Sequence, residues 1–306
     1  MKRISAVIAA VGMIVLSLVI RSAIDHKSGS SASTSTAGPR VIACVTELQS
    51  ECAALKGVTV QVEDAAVTAK NIANGTAKID GWVTFEPWPE IVNSMAHGTL
   101  KTSTKDIARS DFVIAFVKER ATVLAAKCGG QIGWHCLGDN IGAQWQDLGG
   151  QPEWGPLKAG IPPLTSASGL LMFGNAASGY FNSAAFATND VNLDSNFSVW
   201  KTKVTSASNA SFLTFIQQFP AAFSGVGAIA AQAQLGNRAS EVDIITPQPS
   251  ASAVVVVTAL NGGDESDVAK SLSSSLKTDG WSTDHVSDPT GLPDPGVLLA
   301  LSGLPA

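Results

Sequence analysis

The chain has 306 residues, of which 45% are hydrophobic and 15% charged, and its formal net charge is −5. That is enough apolar material for one large domain or two ordinary ones, and it excludes a chain that stays disordered. No Lys/Arg cluster stands out beyond pairs, so an electrostatic nucleic-acid surface is excluded as well.

Lys2 and Arg3 precede an apolar run from Ile4 to Ile20 that ends at Arg21. As a helix it would span roughly 25 Å, near the short limit for crossing a bilayer. Residues 1–21 are therefore expected to be a signal anchor or transmembrane helix. The positive charge ahead of it places the rest of the chain outside the cytoplasm. No cysteine follows the run, which excludes a lipid-attachment site, and Arg21 and Asp25 stand where a small-x-small cleavage site would have to be. An uncleaved anchor is favoured over cleavage in the linker that follows. Residues 22–38, rich in Ser, Thr, Ala and Gly, read as a flexible tether with no apolar face to bury.

Four cysteines fall in two equally spaced pairs, Cys44 with Cys52 and Cys128 with Cys136. Outside the cytoplasm local pairing into two disulfides is the simple reading. Thiolates and imidazole also suit zinc, but Cys128, His135, Cys136 and Asp139 lack a C-x-x-C knuckle, so no metal site is expected.

Val41 to Val45 reads as a strand, Leu48 to Leu55 as a helix, Val58 to Val62 as a strand, Ala65 to Ala73 as a helix and Ile79 to Phe85 as a third strand. This alternation predicts an α/β fold with a parallel sheet, whose ligands sit at the carboxyl ends of the strands. Glu86-Pro87-Trp88-Pro89 reads as a loop, because two prolines cannot continue a ladder. Phe112 to Val117 is a buried type of strand, followed by a helix that ends at Cys128. Trp134 to Gly160 reads as loop-dominated with one short helix at Trp145-Gln146-Asp147-Leu148. Pro162 to Phe181 is a helix start: Thr165 and Ser166 stand at N-cap positions, and Leu170, Phe173, Ala177 and Phe181 follow at helical spacing. Asn189 to Asn196 reads as a polar connection, Phe212 to Phe219 as a helix and Phe223 to Gly227 as a turn. Asp243 to Thr246 and Ala253 to Leu260 are strands, and Val268 to Leu276 is helical.

An enzyme is not expected. The words T-S-A-S-G at Thr165 and A-A-S-G-Y at Ala176 lack the glycine that a nucleophile elbow needs two residues before its serine. His26, His97, His135 and His285 are scattered, and no P-loop, dinucleotide fingerprint or H-E-x-x-H helix occurs. No cofactor is implied.

The words S-D-F-V-I-A-F-V-K-E-R-A (Ser110 to Ala121), W-Q-D-L, P-P-L-T-S-A-S-G-L-L (Pro162 to Leu171), F-S-G-V-G-A (Phe223 to Ala228), I-I-T-P-Q-P (Ile244 to Pro249) and D-G-W (Asp279 to Trp281), in that order, resemble extracellular solute-binding proteins of the type 2 periplasmic-binding fold, in the membrane-tethered form found in actinobacteria. The resemblance runs from about Arg40 to Trp281. It implies two α/β lobes, lobe 1 holding 39–108 plus 242–306 and lobe 2 holding 109–241, that close on a ligand by a hinge. The von Willebrand factor A domain that often accompanies this module needs a D-x-S-x-S run, which the sequence does not contain. By the same resemblance the cleft is lined by Thr46, Glu47, Glu86, Trp88, Thr165, Ser166, Ser168 and Ser224. Oxyanion-binding members resemble one another in small hydroxyl residues after the third strand. Here Glu86 and Trp88 put a carboxylate and a ring there, which points away from a small dianion.

Trp82, Trp88, Trp134, Trp145 and Trp154 lie in or beside these loops. Aromatic faces bind sugars and quaternary amines, and a nearby carboxylate adds charge selectivity. Trp82 and Trp145 are expected in the core and Trp88 in the cleft, where its loss would remove binding and spare stability. The expected function is capture of a small polar ligand for an ABC-type importer, with a permease or cell-envelope protein as partner. The alternative is a cell-surface interaction or sensory module that keeps the fold without transport.

Overall fold

The computed structural model describes residues 39–95, 105–207, 209–260, 264–284, 286 and 291–305. The expected anchor and tether, with His26, His97 and His285, lie outside them. Among the described residues no helix is long and apolar enough to cross a membrane.

The first segment alternates as its composition predicts: β1 (Arg40–Val45), a 3-10 turn at Thr46–Leu48, α1 (Gln49–Ala53), β2 (Val58–Glu63), α2 (Ala65–Ala73), β3 (Gly81–Phe85) and α3 (Trp88–Met95). β1 pairs in parallel with both β2 and β3. The middle segment runs through β4 (Asp106–Val117), α4 (Lys118–Lys127), α5 (Trp134–Asn140), 3-10 turns at Trp145–Leu148 and Pro152–Trp154, β5 (Ala159–Gly160) and α6 (Ala167–Phe181). It continues with α7 (Thr188–Leu193), α8 (Ser195–Thr205), α9 (Phe212–Gln217), β6 (Gly225–Ile229) and β7 (Val242–Ile245). The last elements are β8 (Ser252–Ala259), α10 (Ser266–Thr278) and α11 (Pro295–Ser302).

The strand order is β2-β1-β3-β8-β4-β6-β5, with β7 also on β4. β4 is the element that both halves share. Its first residues, Asp106 to Asp111, pair antiparallel with β8, and its last, Phe112 to Val117, pair with β6 and β7. Beside it the chain returns from β7 to β8, and the Phe112 N–H donates to the Ala251 carbonyl at 2.9 Å.

Four stretches differ from the sequence reading, the one at Trp88 being taken up with the site below. Trp134 to Asn140 is a helix because Trp134 and Leu137 are both buried, and Gly138 lets the Trp200 indole lie on its backbone. Asn189 to Asn196 lies in α7 and α8. The Asp194 carboxylate caps α8 by accepting from the Asn196 and Phe197 N–H groups at 2.8 and 3.0 Å, a local bond that outweighs the polar composition. Phe223 to Gly227 is not a turn: Gly225 opens buried strand β6, leaving room for the Phe116 ring where a side chain would stand.

Both disulfides form as expected, Cys44–Cys52 and Cys128–Cys136. Loops this short limit the unfolded chain by about 2–3 kcal/mol each. His135 and Asp139 stand 3.6 Å apart, and no group of metal-ligating side chains occurs among the described residues.

α6 is buried from Ala167 to Ser178, on every face rather than along one stripe. It packs against α5 and α11, and α11 in turn packs against α3 and α7. The α6–α11 contact is close because Gly174 has no side chain; a Cβ there would press on Leu298 Cδ2. Since that methyl ends a flexible side chain, Gly174→Ala should cost only about 1 kcal/mol, measured by denaturant unfolding. A loss several times larger would mean that α11 cannot shift at all.

Candidate functional site

A cavity of about 300 Å³ lies where the turn after β1, the start of α2 and the start of α6 meet. Thr46, Glu47, Asp64, Ser166 and Ser168 line it, together with Ser211, Phe212 and Gln232. Among the described residues its lining holds two carboxylates and no cation.

The start of α6 is built as its sequence suggests. Ser166 is the N-cap; its hydroxyl accepts from the Gly169 N–H at 3.0 Å and donates to the Pro163 carbonyl at 2.9 Å. Gly169 admits a close neighbour, and that neighbour is the chain's own Pro163 carbonyl, which any Cβ would overlap. The next donor is taken from across the cavity. Glu47 Oε1 accepts the Ser168 N–H at 2.6 Å, so a carboxylate sits at the positive end of the helix. A carboxylate from a ligand would occupy the same position.

Further hydrogen bonds tie neighbouring segments to these two. The Ala66 N–H donates to the Thr165 carbonyl at 3.0 Å, and the Thr165 hydroxyl donates to Asp64 Oδ2 at 3.1 Å. Gln232 Nε2 donates to the Glu47 carbonyl at 2.7 Å, and Trp88 Nε1 donates to the Ala167 carbonyl at 3.1 Å. The Ser168 hydroxyl makes no hydrogen bond to the described residues and borders the cavity.

Of the residues the sequence assigned to a cleft, Thr46, Glu47, Ser166 and Ser168 line this cavity, and Thr165 stands beside it on Asp64. Three others do not line it. Trp88 is 0% exposed: it opens α3 instead of a loop, since Pro89 at the second helical position needs no N–H partner, and its ring packs edge-on against Trp82. Glu86 is buried behind it, its N–H donating to the Val254 carbonyl at 2.8 Å. Ser224 lies elsewhere, accepting from Arg120 Nη1 and Trp145 Nε1. Asp64 and Gln232 were missed; Asp64 directly precedes the helix at Ala65 and reads as an N-cap, although its carboxylate serves Thr165 instead. Trp82, Trp134 and Trp145 are core, and Trp154 is partly exposed.

No protein-family model matches the chain, and no curated protein matches its sequence. Solved structures do. The periplasmic binding protein AfuA from Actinobacillus pleuropneumoniae, with exogenous fructose-6-phosphate bound, superposes with a TM-score of 0.50 at 11% identity, over 84% of this chain and 88% of AfuA. The CcmR regulatory domain of Synechocystis, in complex with 2-PG, has a TM-score of 0.46 at 13% identity, over 81% of this chain and 98% of that domain. A reduced form of OxyR from N. meningitidis has a TM-score of 0.46 at 10% identity, over 80% of this chain and 96% of that one. With strand β4 shared by both ends of the eight-stranded sheet, the AfuA likeness establishes the architecture: the chain has the type 2 periplasmic-binding fold.

Proposed function

We infer that the chain is a solute-binding module that holds a small, polar, hydrogen-bond-donating ligand, neutral or cationic, in the cavity at the start of α6. The observation that carries this is the lining: Glu47 and Asp64 with the Ser168 hydroxyl, and no cation. AfuA was solved with a phosphorylated sugar. Here the helix end that would favour a phosphate already holds Glu47, and a second carboxylate stands beside it, so an anion would meet repulsion. With residues 1–21 as anchor and 22–38 as tether, the body would stand outside the cytoplasm and serve an ABC-type permease. No chemistry on a substrate is proposed.

Thermal-shift screening of the full chain tests the reading. Betaine, choline, neutral amino acids or sugars should raise the melting temperature by several degrees at saturating concentration, about 2.7 kcal/mol at one hundred times Kd, and phosphate and sulfate should not. Stabilisation by the oxyanions alone would overturn it.

A second reading is favoured by one observation. Glu47 already makes the bond to Ser168 that a ligand would make. A cleft so occupied suits an interaction or sensory module that stays closed without ligand, and the absence of any stabilising compound in the same screen would select it.

A further inference from the structure

A second pocket, of about 360 Å³, lies away from the first, between the first turn of α4, the Pro152–Trp154 turn and the segment leading into β6. Arg120, Glu153, Trp154, Lys158, Phe223 and Ser224 line it. Arg120 is 8% exposed, yet among the described residues no carboxylate pairs with it. Its Nη1 donates to the Pro220 carbonyl and to the Ser224 hydroxyl, each at 3.1 Å. Trp145 Nε1 also donates to that hydroxyl, at 3.2 Å, which fixes its direction. The guanidinium carbon lies 5.5 Å from the centre of the Trp154 ring.

Arg120 is thus oriented on one side, while its Nε and Nη2 make no hydrogen bond to the described residues. A buried charge with unspent donors is costly unless an anion meets it, and the guanidinium fork matches a carboxylate. Burial pushes the Arg120 pKa below the ordinary arginine value, against the raising effect of neighbouring Glu119, so the site is short of negative charge where it is driest. At the rim exposed Lys158 and Glu153 oppose each other. One buried cation with a balanced rim suits a single negative charge better than two. Trp154 and Phe223 supply apolar wall.

We propose that this pocket is a second ligand site, for a small organic monocarboxylate whose carboxylate meets the open edge of Arg120 and whose apolar body lies against Trp154 and Phe223. It is independent of the cavity at α6. It also gives Ser224 a role: the residue orients the arginine rather than touching a ligand in the cleft.

Titration of the full chain with benzoate, followed by the Trp145 and Trp154 indole N–H resonances, tests this. Both should shift and saturate below about 10 mM benzoate, and benzamide, of the same shape without charge, should bind at least about tenfold more weakly. Arg120→Gln should weaken benzoate at least about tenfold. Because that variant also removes the bonds to Pro220 and Ser224, two exposed rim variants stand beside it: Glu153→Gln should tighten and Lys158→Gln weaken benzoate by about twofold. Equal binding of benzamide, no saturable shift, rim variants without effect, or inorganic phosphate binding more tightly than benzoate would each overturn the assignment.

Discussion

Trp88→Ala is expected to lower the melting temperature of the chain by about 10 °C, from a loss of about 3–5 kcal/mol. The indole is 0% exposed, meets Trp82 edge-on with ring centroids 6.4 Å apart, and donates to the Ala167 carbonyl at 3.1 Å. Removing it leaves a cavity between α3 and the start of α6, and it also removes the donor for that carbonyl. Calorimetry distinguishes this from a ligand contact: a variant that melted like the wild type but lost ligand would put Trp88 in the cleft, against its burial. Trp88→Phe, which fills most of the volume and lacks the donor, should lose roughly 1–2 kcal/mol.

Glu47→Ala should cost about 2 kcal/mol, the range for a hydrogen bond to a charged group, and it should change which ions the chain responds to. In the wild type the Ser168 N–H is satisfied by Glu47 at 2.6 Å. In the variant that N–H faces an open cavity at the positive end of α6, a position ready for an anion. Acetate should therefore raise the melting temperature of Glu47→Ala and leave the wild type unmoved. If the variant melts like the wild type and ignores acetate, Glu47 is an ordinary surface residue and the cavity's preference for non-anionic ligands has lost its basis.

The parts of the fold that were legible in the sequence are those where local pattern and tertiary environment agree. Ala65 to Ala73 was read with its final bounds, because an Ala-rich helix follows a β-branched strand and stops at Asn74-Gly75. The cap at Ser166 was legible for the same reason: the hydroxyl satisfies the backbone that follows it whatever surrounds it. Trp88 is not legible as helical because two prolines signal a break locally, whereas the second one sits in the first helical turn, where no N–H is missed. β6 was misread because Gly225 and Gly227 signal a turn locally, and only the Phe116 ring and the Met172 side chain, distant in sequence, explain why a strand would carry them. For the candidate site, the sequence puts the loop after β1 and the start of α6 in one cleft, and both border the same cavity, but the bond between them is not legible. Nothing in the words T-E-L and T-S-A-S-G indicates that the glutamate of one caps the helix of the other, since that bond joins residues 121 apart in sequence.

The seating of α11 bears on how the two halves could part. Its Val297, Leu298, Leu299 and Leu301 are buried, and it rests on α3, which follows β3, and equally on α6 and α7, which lie between β4 and β7. A rotation about β4 and the 246–251 segment that draws α3 away from α6 must unseat α11 from one of them. Each leucine so uncovered costs about 2 kcal/mol in water. On the proposed solute-binding reading, ligand access and exposure of a leucine stripe would be one coordinate: whatever shelters that stripe would favour an open cleft, and whatever tightens its packing would hold a ligand in.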